Sequence, residues 1–349
     1  MRTAIIEARP LTRFHFGKPA IDNKTGLAAT SDWLSSDALF SALVNNVAHY
    51  KADKTDEFIQ LFKEGKVRIS SLFYCLSSGE RIIYFLPKPI NASAHLPEGT
   101  DYPNIKKVKK VRFVSQSVLE TYGEDWVKNL DELYAVGNAM LLKNECTDDL
   151  AKEVEKLYLK SMTTHVNTRP LPSKEQNETP QNELFTTAYV QMPLYEHWRT
   201  SLYFLIDDEA LTEDERKLLD FAIELIRFEG LGGKRNTGYG WVDNVKLDSI
   251  DPFIWKPETQ SFKSITMGLL IPNDVKEFNN LKAYELTQRG GRKIDSTTTL
   301  KVVNMVSEGA LFEGTEQPKG NLADISPNND GSFLRLGSCI NLPIKTTAL

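Results

Sequence analysis

Eleven residues, Gly230 to Gly240, read GLGGKRNTGYG and hold five of the chain's twenty glycines. Lys234 and Arg235 sit at the centre, and Tyr239 and Trp241 close the run. Successive backbone N–H groups without Cβ cover can form a nest for an anion. An arginine can grip a phosphate bidentately, and flat aromatic rings can carry stacked bases. The chemistry that fits is non-covalent capture of single-stranded RNA or DNA. Its candidate residues are Gly230, Gly232, Gly233, Lys234, Arg235, Thr237, Gly238, Tyr239 and Gly240. The same residues also fit a structural corner, made of a helix stop, a bulge and a core Tyr/Trp pair. Residue types alone leave both readings open.

Two nucleotide motifs are excluded. A P-loop, GxxxxGK[ST], would need glycine at Phe228 and Ser or Thr at Arg235. A GxGxxG fingerprint starting at Gly230 would need glycine at Arg235. The run also follows a predicted helix and precedes a strand, the reverse of both motifs.

Acid–base chemistry would have to come from five histidines, at 15, 49, 95, 165 and 197. A neutral imidazole at His15 or His165 could activate a 2′-hydroxyl with help from Lys or Tyr. For His15 the expected role is instead an RNA contact or a structural hydrogen bond. No HExxH and no Cys/His quartet occurs, so neither a zinc site nor any other cofactor is expected. Asp207 and Asp208 read as helix-start charge. The stretch NIKKVKKVRF packs five cations into Lys106 to Arg112, which follow an RNA backbone, face an acidic partner or form a solvated surface element. RGGR, made of Arg289, Gly290, Gly291 and Arg292, reads as a second anion nest or a hairpin turn.

These residues need elements to hold them. Arg2 to Ala8 reads as a strand. SSDALFSALVNNVAHY reads as a helix with Ser36 as a candidate N-cap and Leu39, Phe40, Leu43, Val47 and Tyr50 on one face. KVRISSLFYCL and RIIYFLPKP read as a hairpin. Residues 92–180 form a long insertion with helical patches such as TDDLAKEVEKLYLKSM, ending in a polar loop. LFTTAYVQM and TSLYFLIDD are strand-like. LTEDERKLLDFAIELIRFEG is a helix with a Thr212/Glu215 capping box and a Gly230 stop. The order suits an α+β, ferredoxin-like sheet with an insertion. From Phe262 the chain is strand-rich, and the boundary is expected near Asp251–Pro257.

The chain has 349 residues, with 41% hydrophobic, 26% charged and a net charge of −5. Length suggests two domains, 1–251 and 258–349. An acidic body does not coat itself in nucleic acid, but it can carry one basic groove. The N-terminus MRTAIIEARPLTRF places charges where a signal peptide needs an apolar core. No run approaches the ~20 apolar residues of a membrane span. Cys75, Cys146 and Cys339 lie far apart with no CxxC pair, as expected of buried free thiols in a reducing cytoplasm.

Taken together the motifs resemble a known family. A glycine-rich loop after the second helix of a ferredoxin-like domain is similar to the hallmark of the RAMP superfamily of CRISPR RNA-binding proteins. FHFG (Phe14 to Gly17) followed by SSDALFSAL (Ser35 to Leu43) resembles the start of one RAMP group, the fourth subunit of the type III-A Csm effector complex. HVNTRPLPS (His165 to Ser173), leading into NELFTTAYV, is similar to that group's central hairpin. RGG and the terminal GSFLRLGSCINLPI are similar to its second half. The resemblance implies two ferredoxin-like halves and no catalytic role. It implies a subunit that caps the 5′ handle of the CRISPR RNA (crRNA) and docks the large polymerase–nuclease subunit and a backbone RAMP subunit. Its hairpin would open one guide–target pair, touching target RNA only indirectly. It adds Arg13, His15, Gly17, Lys18, His165, Asn167 and Arg169 to the RNA contacts, beside Arg289, Gly290, Gly291 and Arg292. The alternatives are a RAMP endoribonuclease that cuts precursor crRNA and a protein-only scaffold.

Overall fold

The computed structural model describes residues 1–18, 28–168, 182–248, 262–291, 299–314 and 316–345. The chain opens with β1 (Arg2–Glu7) and β2 (Arg13–Phe14), then α1 (Ser36–Tyr50) and α2 (Thr55–Lys63). α1 forms where the apolar spacing requires it, burying Leu39, Phe40, Leu43 and Val47. Its N-cap is Ser35, one residue before the expected Ser36. Next come β3 (Arg68–Ile69), β4 (Phe73–Ser78), β5 (Arg81–Pro87), α3 (Tyr102–Lys110), β6 (Phe113–Ser115) and α4 (Gln116–Tyr122). β7 (Leu133–Val136), β8 (Ala139–Leu142) and α5 (Asp148–Glu153) lead to β9 (Leu159–Thr168) and β10 (Asn182–Gln191). The helix expected over TDDLAKEVEKLYLKSM stops at Glu153. From Leu159 that segment is a strand, because ten successive pairings with β10 outweigh its local helix propensity. β11 (Arg199–Asp207), α6 (Glu213–Glu224), α7 (Ile226–Glu229) and β12 (Asn244–Asp248) finish the first half.

A nine-stranded sheet runs β12-β1-β11-β4-β5-β6-β8-β7, with β3 on β11. β1 leads through α1 to β4, and β11 leads through α6 to β12. These four strands lie side by side as β12-β1-β11-β4, all antiparallel. The segment 92–158 extends the sheet with short strands, β6, β8 and β7, besides helices. α6 carries the expected capping box: the Thr212 hydroxyl accepts from the Glu215 amide, and the Glu215 carboxylate accepts from the Thr212 amide at 2.8 Å.

The second half holds β13 (Phe262–Thr266), α8 (Val275–Asn279), β14 (Leu281–Ala283), β15 (Leu286–Arg289), β16 (Val303–Val306), β17 (Leu311–Gly314), β18 (Asn321–Asp324), β19 (Leu334–Gly337) and β20 (Asn341–Pro343). Its main sheet runs β14-β17-β13-β20, antiparallel throughout. β13, β14, β17 and β20 thus repeat the spatial order of β1, β4, β11 and β12. The hairpin β18–β19 stands in the sequence where α6 stands in the first half. The expected boundary at 251–257 lies outside the described residues. One core crosses between the halves, since Ile265, Leu311, Leu336 and Leu342 join the cluster of Ile6, Leu43 and Phe204. Cys75 and Cys339 are buried free thiols, and burial pushes both up to about 12, whereas Cys146 is only half-buried. Among the described residues no helix is long and apolar enough to cross a membrane.

Candidate nucleic-acid interface

Gly230, at φ +71°, ends α7, and its amide closes the last turn on the Ile226 carbonyl at 2.8 Å. The chain then folds onto β2 and its continuation. The Gly233 amide donates to the His15 carbonyl at 2.8 Å, and the Gly240 amide to the Arg13 carbonyl at 2.7 Å. The Leu231 amide closes the loop's base on the Gly240 carbonyl at 3.0 Å. These contacts explain much of the bareness. A Cβ on Gly232 would lie 2.7 Å from the His15 carbonyl oxygen, and one on Gly240 would lie 2.1 Å from that of Leu231. Gly230 meets the Gly240 oxygen at 2.6 Å in the same way. For these three the corner reading holds: no side chain fits between the strands of backbone. Gly238, at φ +84°, faces open space.

The crest between them is different. Lys234 is left-handed (φ 61°, ψ 23°) and is followed by a single tight turn, Arg235 to Thr237. The amides of Thr237 and Tyr239 return to the Lys234 carbonyl at 2.9 and 3.3 Å. Among the described residues nothing accepts from the amides of Lys234, Arg235 or Asn236. A left-handed residue leading into a right-handed turn aims such amides into one concavity, the geometry of an anion nest.

The hairpin β9–β10 stands over this crest. β10 pairs with β2 through Val190↔Phe14 and Gln191↔Arg13, making a three-stranded sheet β2-β10-β9. Alternate β10 residues, Phe185 and Tyr189, share a face. The Lys234 ammonium lies 5.1 Å from the Phe185 ring centre, and the Arg13 guanidinium 4.8 Å from that of Tyr189. His165, directly across from Phe185, stacks on it at 5.1 Å. His15 is 5% exposed, and its Nδ1 lies 2.7 Å from the Ala188 carbonyl. A carbonyl only accepts, so Nδ1 carries the proton and the imidazole is fixed by the fold. Hydrogen bonds from Thr163 and Ser161 hold the Tyr189 hydroxyl below its usual value, with Arg13 above the ring contributing.

The structure gathers Arg13, Lys234 and His165 around Tyr189 and Phe185, with His15 buried beside them, while Arg235 and Thr237 belong to the turn that follows Lys234, the Thr237 hydroxyl donating to the Lys234 carbonyl. Arg235 is partly occupied, since it donates to the Glu229 carbonyl at 2.9 Å. Tyr239 is no stacking platform: it is 8% exposed, its ring edge packed on Tyr189 at 5.9 Å. Trp241, 59% exposed, offers the open face instead. Gly17 pairs with Thr30, and Lys18 is exposed beyond it, on the rim of a separate cleft. Asn167 lies in β9 opposite Glu183, while Arg169 and Arg292 fall outside the described residues. Arg289 is spent elsewhere, on the buried Asp37, and Gly290 gives its carbonyl to Arg335 at 2.8 Å. Gly291 pairs with Leu300 through its carbonyl. That stretch is therefore a tie within the fold and not part of this surface. Phe185 and Tyr189 are not among the residues singled out from the sequence, although their four-residue spacing in LFTTAYVQM puts both on one face of a strand. No group of three or more His, Cys, Asp or Glu able to hold a metal occurs among the described residues.

The model of the RAMP superfamily matches residues 11–243, and the chain belongs to that superfamily. Residues 259–344 match the CRISPR Csm4 C-terminal domain, so that over both parts the chain resembles Csm4. The CRISPR system Cms protein Csm4 of Methanocaldococcus jannaschii is 23% identical, covering 95% of this chain and 90% of that protein. Its counterpart from Streptococcus thermophilus is 24% identical over 90% and 89%. The crystal structure of the Csm3–Csm4 subcomplex of the type III-A interference complex superposes with a TM-score of 0.68 at 21% identity, covering 99% of this chain and 100% of that one. A Csm1–Csm4 cassette superposes at 0.54 and 15%, covering 99% of both chains.

Proposed function

We propose that this chain is the non-catalytic, crRNA-binding subunit that caps the 5′ handle of the guide in a type III-A Csm complex. The observation that carries it is the crest at Lys234. Three adjacent amides without acceptors among the described residues sit beside Lys234 and Arg13, two cations poised over aromatic rings. RNA ends are read through such backbone nests, stacking and phosphate contacts. We read both halves, 1–251 and 258–349, as ferredoxin-like, on the strand order they share. Csm4 proteins have been solved with Csm3 and with Csm1. By analogy this chain docks a backbone RAMP subunit and the large polymerase–nuclease subunit. It acts in the cytoplasm, where the guide complex works.

Catalysis is disfavoured by the position of His15, buried with its ring locked on a backbone carbonyl. The test is to co-express the chain with its genomic neighbours and sequence the bound RNA. Short RNAs sharing one 5′ end support the cap. His15→Gln and His165→Ala are expected to leave guide lengths unchanged, and loss of maturation in either would promote the endoribonuclease. RNA-free complexes would favour a scaffold.

The hairpin supplies a second test. Met162 and Leu184 are 64% and 72% exposed on the face of β9–β10 opposite Phe185. If that face wedges between guide and target, Met162→Ser with Leu184→Ser should restore pairing at one position beside the handle, read by chemical probing. Handle binding should not change. Lost handle binding would make the hairpin part of the grip.

A further inference from the structure

Two cations of the basic run Lys106 to Arg112, Lys109 and Arg112, line a cleft of about 470 Å³ where the end of β5 and α3 meet the second half. Five cations line it, Lys18, Lys88, Lys109, Arg112 and Arg289, the last of them paired with the buried Asp37 at 2.9 Å. Three carboxylates, those of Asp32, Glu285 and Glu308, also line it but leave most of this charge unpaired. Asp32 is taken up by Lys160 at 3.0 Å and Arg112 at 3.3 Å. Glu308 is buried and accepts the Ser71 hydroxyl at 2.6 Å. Burial raises its carboxyl above the usual value, toward the neutral form. Among the described residues, Lys18, Lys88 and Lys109 have no carboxylate within ion-pair distance, and Glu285 alone remains to face them.

Lys88 is the telling member. It is half-buried, and its ammonium donates to the Val108 carbonyl at 3.2 Å, near the end of α3. Burial lowers its pKa, and Arg112 beside it lowers it further, with only Glu285 opposing. A half-buried cation beside another cation, with no paired carboxylate, is stabilised by an arriving anion.

We propose that this cleft is a second phosphate-binding site for single-stranded RNA, in which Lys88, Lys109 and Arg112 take a phosphate and Lys18 guides the strand in. The site adjoins the first. Lys18 lies three residues beyond His15, which pairs with Gly233 of the glycine loop, a chain reach of about 10 Å at most. The proposal rests on the RNA-binding reading above and assigns a path to the strand that the crest holds. The phosphate could be an internal phosphodiester or belong to a single nucleotide.

The test uses the full chain with two probes, a labelled single-stranded oligoribonucleotide and AMP. Lys109→Glu alters an exposed cleft lysine, and Lys106→Glu makes the same charge change on the same helix away from the cleft lining. Lys234→Gln alters the glycine loop. Lys109→Glu should weaken oligonucleotide binding and lower the salt slope by roughly 0.7 per lost phosphate contact, and Lys106→Glu should change neither as much. Lys88→Gln should act like Lys109→Glu; should it fail to fold, the exposed Lys109 decides alone. AMP bound by wild type and released by Lys109→Glu identifies a single-nucleotide site. Oligonucleotide dependence without AMP binding identifies an internal phosphodiester. If Lys234→Gln weakens binding while Lys109→Glu behaves like Lys106→Glu, the cleft proposal is overturned and the RNA reading stands. If no variant changes binding, the RNA reading falls and the cleft falls with it.

Discussion

Asp37→Ala is expected to destabilise the folded chain by about 3–5 kcal/mol, the usual cost of removing one partner from a buried ion pair. Asp37 lies in the first turn of α1, 0% exposed. It accepts two bonds from Arg289, both 2.9 Å, and one from Arg335 at 3.1 Å. The Ser35 hydroxyl adds a fourth at 2.7 Å. Both arginines come from the second half, so the network ties it to the first helix of the chain. Alanine would leave two largely buried guanidinium groups uncompensated. A triple variant, Asp37→Leu with Arg289→Leu and Arg335→Met, should recover most of the loss, because apolar replacement of a whole buried ionic network is often nearly neutral. Urea midpoints of the single and triple variants test this, and a wild-type midpoint for Asp37→Ala would refute it. The effect has a pH signature. Burial alone would raise the Asp37 carboxyl, but Arg289 and Arg335 outweigh it and hold the group below its ordinary range. Its folded value is depressed, so its contribution is fully present above about pH 4 and is lost as pH falls through the lower, folded value. Asp37→Ala should therefore flatten the acid limb of the stability profile and lower the neutral plateau.

This network also shows what a sequence withholds. Asp37 reads locally as a helix-start charge and Arg289 as part of an arginine–glycine turn. Nothing local joins residues 252 positions apart. Local signals did carry over. The Thr212/Glu215 box caps α6, Gly230 stops α7, and the apolar spacing of SSDALFSAL sets the buried face of α1. The short strands β6, β7 and β8 escaped because three or four residues hold too little periodicity, and their pairing is set by long-range partners. At the candidate site, the glycine run and its cations were legible from composition. The rings beneath the cations were not, since Phe185 and Tyr189 meet Lys234 and Arg13 only once the hairpin docks.

The glycine loop itself yields the sharpest separation of corner from nest. Gly240→Ala puts a Cβ 2.1 Å from the Leu231 carbonyl at φ +73°, so the loop must open. Opening breaks the Leu231–Gly240 and Gly240–Arg13 hydrogen bonds, worth about 1 kcal/mol each, and adds left-handed strain of about 1–2 kcal/mol. A loss of about 3 kcal/mol or more is expected. RNA affinity should fall as well, because the crest leaves Arg13 and His15. Gly238→Ala bears the strain alone, as its Cβ meets open space, so it should cost only about 1–2 kcal/mol. Lys234→Ala removes the crest's cation but no backbone bond. It should melt like wild type, bind RNA more weakly and lower the salt slope by roughly 0.7. Thermal melting beside salt-titrated RNA binding reads all three. The nest requires that Lys234→Ala lose affinity at full stability. If Lys234→Ala and Gly238→Ala both bind as wild type and only Gly240→Ala fails, in step with its loss of stability, then the five glycines serve only to turn the chain after a helix.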